Sequence, residues 1–459
     1  MASPLLRNLP SVNELLEQTQ IRGLIDTVSQ SVVASRVRQI LDEVRVEVQT
    51  AASERTLPNV AELAERIART IADDQNSPVR SVINATGVLL PAGPGGVPLA
   101  ESAVSELMAA SRDYVGAADD REHAVEALLR EQTGAEAALL TNSRASGLLL
   151  ALAALSAGRE TLVSRGEISE AADGTRLTDL IAASGAKLRE VGSANRTHLA
   201  DYQQAIGEET AAMLRVHSPE FRVVGSTAQA SLADMARLAH ERGLTLIDDI
   251  GLGGVLDFSS FGLTEERHAR ASLEAGADVV LMAGEKLLGG PACGILVGRR
   301  RTIEAIARHP LARALAADTP TQAALAATLR IYREPDRSRR EIPLLHFLST
   351  SIENLRNRAE RLAPQLAASA AIEAAEALAD VTGLTESAVP TQQLPTWCVA
   401  LMPKRDWPVS RLTAALRAGC PSVVGRIRGE RLLLDLRSVF TRQDQALVAA
   451  LAAVGRPKS

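Results

Sequence analysis

The chain has 459 residues, a formal net charge of −5 at pH 7 and 2% aromatic residues. That length exceeds one hydrophobic core and predicts two or three domains, while the near-balanced charge excludes a uniformly basic nucleic-acid protein and leaves RNA binding to local patches. Cys293, Cys398 and Cys420 have no CxxC spacing and the apolar run Leu148 to Leu155 is too short to span a bilayer, so a cytoplasmic protein is expected, with no structural metal site, no membrane partner and no DNA partner.

Leu9-Pro10-Ser11-Val12 opens a helical pattern, which continues over Val32 to Val48 and Val60 to Ile71. Apolar residues there recur at helical spacing, at Val33, Val37, Ile40, Leu41 and Val44. This predicts a helical N-terminal module over 1–75, whose arginines Arg36, Arg38 and Arg45 form either a solvated face or an RNA surface. The start, Met1-Ala2-Ser3-Pro4, does not read as a signal peptide.

A proline- and glycine-rich loop, Pro91 to Pro98, precedes helices over Leu99 to Ala110 and His123 to Gln132. Strands are then expected at Ala137 to Leu140, Thr161 to Val163, Lys187 to Val191, Ala212 to Val216, Thr245 to Ile247 and Val279 to Met282, with helices between them. Such alternation predicts a large α/β domain over 76–330, with a mostly parallel or mixed sheet covered on both faces. The remainder, 331–459, reads as a linker helix and a small α+β domain with strands near Gln393 to Ala400 and Arg431 to Asp435.

Ligands on such sheets bind beyond the strand C-termini, and three segments there carry chemistry. Thr141-Asn142-Ser143-Arg144 runs from a strand into a helix, where Asn142 and Ser143 either cap the helix or, with Arg144, cradle a phosphate. Asp248-Asp249 ends another strand before Ile250-Gly251, and a carboxylate there can pair with a protonated pyridine nitrogen, Asp249 being favoured over Asp248. Lys286 follows a third strand within Gly284-Glu285-Lys286-Leu287-Leu288-Gly289-Gly290-Pro291. Lysine can form an imine with an aldehyde cofactor and arginine cannot. The chain holds only four lysines, Lys187, Lys286, Lys404 and Lys458, against 46 arginines. His217, after a strand, either packs against the cofactor ring or senses substrate or is structural; Arg196 either binds an anion or lies in a capping loop.

With these residues in place, the chain resembles the bacterial selenocysteine synthase family, L-seryl-tRNA(Sec) selenium transferases. The resemblance rests on Leu9 to Leu16, Ile83-Asn84-Ala85-Thr86-Gly87, Thr133 to Ala138, Glu190 to His198, Asp249 to Asp257, Gly284 to Gly294, Gly425-Arg426-Ile427 and Leu432 to Arg437. It implies a fold-type-I pyridoxal-phosphate (PLP) transferase with an aspartate-aminotransferase-like large domain. It also implies pyridoxal 5'-phosphate as cofactor, seryl-tRNA(Sec) and selenophosphate as substrates, an aminoacrylyl intermediate, and assembly as a dimer or ring of dimers. By the same resemblance Lys286 carries the cofactor, Asp249 faces its ring nitrogen, the N-terminal helices bind tRNA, and Arg313 joins Lys286 and His217 among the catalytic residues. Asn142, Ser143, Arg144, His217 and Gly251 complete the expected cofactor site, and Arg196, Arg313 and Arg426 the expected substrate site.

Two family arginines are replaced here by Gly96 and Ala316, each loss removing charge-assisted contacts of about 1.5–3 kcal/mol at an anion site. A related lyase or transferase acting on a small amino acid or an amino sugar acid is therefore the alternative, with Arg196 or Arg426 on a free carboxylate. A non-catalytic tRNA-binding paralogue is a third class, which has no chemical need for both Lys286 and Asp249.

Overall fold

A computed structural model describes residues 9–25, 29–50, 58–75, 80–91, 96–116, 118–171, 174–218, 222–386 and 393–454. Lys458, the first four residues and positions 92–95 of the proline-glycine loop lie outside them. The chain forms two compact units, Met1–Ser81 and Val82–Ser459.

The first unit contains helices Val12–Leu16, Thr19–Ile25, Gln30–Thr50 and Val60–Gln75. Ser11 caps the first through a reciprocal bond with Glu14, which satisfies amides a helix start leaves open. Val33, Val37, Ile40, Leu41 and Val44 bury one stripe against Leu63, Ile67 and Ile71, as their spacing predicts.

In the second unit the strands, in chain order, are β1 (Val82–Ala85), β2 (Ala137–Thr141), β3 (Glu160–Ser164), β4 (Lys187–Val191), β5 (Arg196–Thr197), β6 (Thr210–Val216), β7 (Ala228–Gln229), β8 (Thr245–Asp249), β9 (Val279–Ala283), β10 (Gly294–Gly298), β11 (Ile372–Gly383), β12 (Gln393–Pro403), β13 (Ser422–Arg428) and β14 (Arg431–Asp435). The large sheet has the order β2-β10-β9-β8-β6-β3-β4. Strand β10 runs antiparallel to both neighbours and the other pairs are parallel, so the C-terminal ends of β2, β6, β8 and β9 share one edge. Every residue of β9 and β10 is buried, as expected of strands covered by helices on both faces.

The small sheet, β1-β13-β14-β12-β11, combines residues 82–85 with the C-terminal part of the chain. Its first strand pairs Val82 with Ser422, so this sheet is not confined to residues after 331. Helix Ile352–Ala367 packs on this sheet, and its Arg358 donates to Asp444 at 2.7 Å and to the Val439 carbonyl at 3.0 Å. Both ionised side chains are buried, and removing one partner strands the other's charge. Asp444→Ala is therefore expected to lower the unfolding free energy by about 3–5 kcal/mol, read by urea denaturation; a loss below about 1 kcal/mol would mean the pair is not buried as described.

Candidate active site at the C-terminal edge of the large sheet

Three strand ends meet. Gly294, the first residue of β10, pairs with Thr141 on one side and with Ala283 on the other. An added Cβ there would lie 2.2 Å from the Ser143 carbonyl oxygen, so only glycine lets β10 lie this close to the turn. The turn leads into helix Arg144–Ser156, where the Ser143 hydroxyl accepts from the Ser146 amide at 3.1 Å. The Ser146 hydroxyl in turn donates to Asn142 Oδ1 at 2.7 Å, and the Asn142 amide donates to the Leu315 carbonyl at 2.8 Å. Ser143 thus caps the helix and Asn142 holds the Ser146 hydroxyl, and the first-turn amides without a partner among the described residues are those of Arg144 and Ala145.

Asp249 ends β8 and is fully buried. Its Oδ1 accepts from the Gly251 amide at 3.1 Å and its Oδ2 from Arg144 Nη1 at 2.5 Å. Gly251 adopts φ +63°, and an added Cβ would sit 2.1 Å from the His217 carbonyl oxygen, which reserves this position for glycine. The adjacent Asp248 accepts from Ser272 at 2.6 Å and Arg267 at 3.3 Å. Successive strand residues face opposite ways, so Asp248 serves a separate network.

Lys286 lies in the turn after β9, half-buried, and its amine has no hydrogen bond or ion pair among the described residues. The turn is fixed by its neighbours: the Leu287 amide donates to the Leu252 carbonyl at 3.1 Å and the Gly290 amide to that of Gly284 at 2.8 Å. The first bond ties residue 286 to the loop that follows Asp249. Gly96, at φ +56°, sets its backbone against Glu285, with an added Cβ 3.1 Å from that side chain. Ala316 forms a bridge with Thr141. Both positions where the family resemblance expects arginine therefore border this edge and bring no charge to it.

The remaining expected site residues are spread more widely. His217 follows β6 and is buried; its Nε2 lies 2.8 Å from Arg222 Nη2. A guanidinium only donates, so Nε2 accepts and the imidazole is neutral. Burial pushes its pKa down in agreement, against the opposing pull of Glu266. Arg313 is exposed on helix Leu311–Ala314, with no partner among the described residues. Arg196 sits beyond the edge strand β4, where it donates to the Ser226 hydroxyl and, at 3.4 Å, to the Ser226 carbonyl. It lines a cleft of about 500 Å³ with Glu167, His217, Arg222 and Arg267. Arg426 belongs to the small sheet and donates to Asp435 at 2.9 Å and Asp380 at 3.0 Å. The structure thus brings Asn142, Ser143, Arg144, Asp249, Gly251 and Lys286 to one edge, places His217 just past the end of the next strand, and leaves Arg313 exposed and Arg196 and Arg426 committed elsewhere.

Glu167 gave no signal in the sequence, since its partner, the Val216 amide at 3.0 Å, is 49 residues away. Burial raises its pKa from 4.5 to about 7, with the Val216 hydrogen bond opposing. Between those values the native state keeps a proton that the unfolded chain has lost, so this group makes stability fall as pH rises from about 4.5 to about 7, with no further change above. Relative to Glu167→Gln, the parent protein is expected to lose up to about 3 kcal/mol across that interval, measured by denaturant unfolding at several pH values; parallel profiles for the two proteins would contradict it.

Residues 82–440 match the L-seryl-tRNA selenium transferase family, and residues 6–45 match the selenocysteine synthase N-terminal family. The L-seryl-tRNA(Sec) selenium transferase of Moorella thermoacetica is 37% identical over 97% of this chain and 96% of that protein. That of Geobacter sulfurreducens is 38% identical over 96% and 98%. Among solved structures, a D-glucosaminate-6-phosphate ammonia-lyase superposes with a TM-score of 0.58 at 21% identity, covering 86% of this chain and 98% of that one; this likeness speaks for the fold alone. By the family match over most of its length, the chain belongs to the L-seryl-tRNA selenium transferase family.

Proposed function

We propose that this protein converts seryl-tRNA(Sec) to selenocysteinyl-tRNA(Sec), using pyridoxal 5'-phosphate and selenophosphate. The observation that carries the reading is the amine of Lys286, half-buried and without a partner among the described residues, on the same sheet edge as the buried carboxylate of Asp249.

The residues fit the cofactor. An aldehyde needs a primary amine, offered by Lys286; a protonated ring nitrogen needs a carboxylate, offered by Asp249; a phosphate needs N–H donors at a helix start, offered by Arg144 and Ala145. When bound, pyridoxal phosphate supplies an electron-withdrawing ring that stabilises negative charge on the carbon bearing the substrate amine. Asp249 holds the charge that keeps the ring electron-poor. Lys286 would hold the aldehyde and would be the base placed to take the Cα proton and pass it to the departing β-hydroxyl, which would leave as water. Selenium would then bond to Cβ as its bond to phosphorus breaks, the phosphoryl group passing to water and leaving as phosphate. His217, neutral and just past the end of the strand beside Asp249, is assigned to the ring face. Arg313, exposed and without a described partner, is the cation available to selenophosphate, since Gly96 and Ala316 supply none. The N-terminal helical unit is assigned to tRNA, and the assembly to a dimer or a ring of dimers.

The test incubates the full chain, loaded with pyridoxal phosphate, with seryl-tRNA(Sec) and selenophosphate and follows selenocysteinyl-tRNA(Sec). Product is expected, and Lys286→Ala should slow its formation by about 10²–10⁴-fold. Loss of the seryl group without selenium in the product would overturn selenophosphate use and favour a lyase. Rates unaffected by Lys286→Ala would overturn the whole reading.

A further inference from the structure

The ion pair between Arg144 and Asp249 has a consequence for cofactor entry. Asp249 is wholly buried, its Oδ1 is held by the Gly251 amide and its Oδ2 by Arg144 Nη1 at 2.5 Å. The guanidinium side is the partly open one: the Arg144 side chain is 30% exposed, whereas Asp249 is 0% exposed. A ring nitrogen approaching Asp249 from outside therefore meets the Arg144 guanidinium first. Arg144 is the first residue of its helix and has a long flexible stem, so it can leave the carboxylate without moving the backbone.

We propose that Arg144 is a displaceable counter-ion, a latch on Asp249 that the cofactor's ring nitrogen must replace. The inference rests on the cofactor reading above. Without the ring, the guanidinium satisfies a buried carboxylate that would otherwise carry an unpaired charge. With the ring bound, the protonated nitrogen takes over that task, and the two cations exclude each other on the open side of Asp249. Arg144 is thereby a positioning residue that acts through Asp249, and its contribution to affinity is opposite in sign to that of a phosphate ligand.

A cofactor analogue without phosphate separates these roles. The full chain and its Arg144→Ala and Arg144→Gln variants are titrated with pyridoxal phosphate and with 5'-deoxypyridoxal, following the Lys286-dependent absorbance change. The latch predicts that both variants bind 5'-deoxypyridoxal more tightly than the parent, by about tenfold, or about 1.4 kcal/mol, and bind it faster. Unchanged affinity for 5'-deoxypyridoxal together with weakened binding of pyridoxal phosphate would overturn the latch and make Arg144 a phosphate ligand. Weakened binding of both compounds by the two variants would overturn it in favour of a purely structural pair. A parent protein that binds pyridoxal phosphate with no Lys286-dependent change overturns the cofactor reading itself, and the latch with it.

Discussion

The site depends on one strand being held from both sides. Gly294 opens β10 and pairs at once with Thr141 of β2 and Ala283 of β9. The helix start at Arg144 and the turn carrying Lys286 are thereby fixed relative to each other through a single residue. Parallel pairing of β8 with β9, Asp249 opposite Leu281, adds the carboxylate to the same edge. Strands β9 and β10 are buried on both faces and β8 nearly so, and backbone hydrogen bonds in such surroundings are costly to break, so the three groups come from rigid elements. Side chains so placed suit chemistry that depends on positioning.

Charge at this edge is distributed in an unusual way for a protein so rich in arginine. Gly96 and Ala316 bring none, Arg426 is held by Asp380 and Asp435, and Arg196 is held by the Ser226 segment. Lys286 and Arg144, the latter on Asp249, lie at the edge, Arg222 and Arg267 stand beside it on His217 and Asp248, and Arg313 is exposed. The neutral His217, accepting from Arg222, adds no positive charge in this state.

Much of this was legible in the sequence because it depends on local signals. The glycine-rich turn around Lys286, the apolar strand before it and the acidic strand end at Asp249 are each readable within ten residues, and the scarcity of lysine is read from composition alone. Pairings that span the chain were not. Strand β1 finds its partner 340 residues away, at Ser422, and the Arg144–Asp249 pair crosses 105 residues. Strand β11 is hidden for another reason: Ile372-Glu373-Ala374-Ala375-Glu376-Ala377 is rich in helix formers and becomes a strand through its ladder with β12. The sequence of Asn142-Ser143 allows either a cap or a phosphate cradle; the Ser143 side chain caps the helix, Asn142 holds the Ser146 hydroxyl, and the open amides belong to the two residues that follow.

Four lysines make the central claim directly measurable. Protein saturated with pyridoxal phosphate, reduced with borohydride and digested, can be mapped for the peptide that carries the reduced cofactor. The account predicts the label on Lys286 and its loss in Lys286→Ala. Specific labelling of Lys187 or Lys404 instead, or no stable label on any lysine, would contradict it.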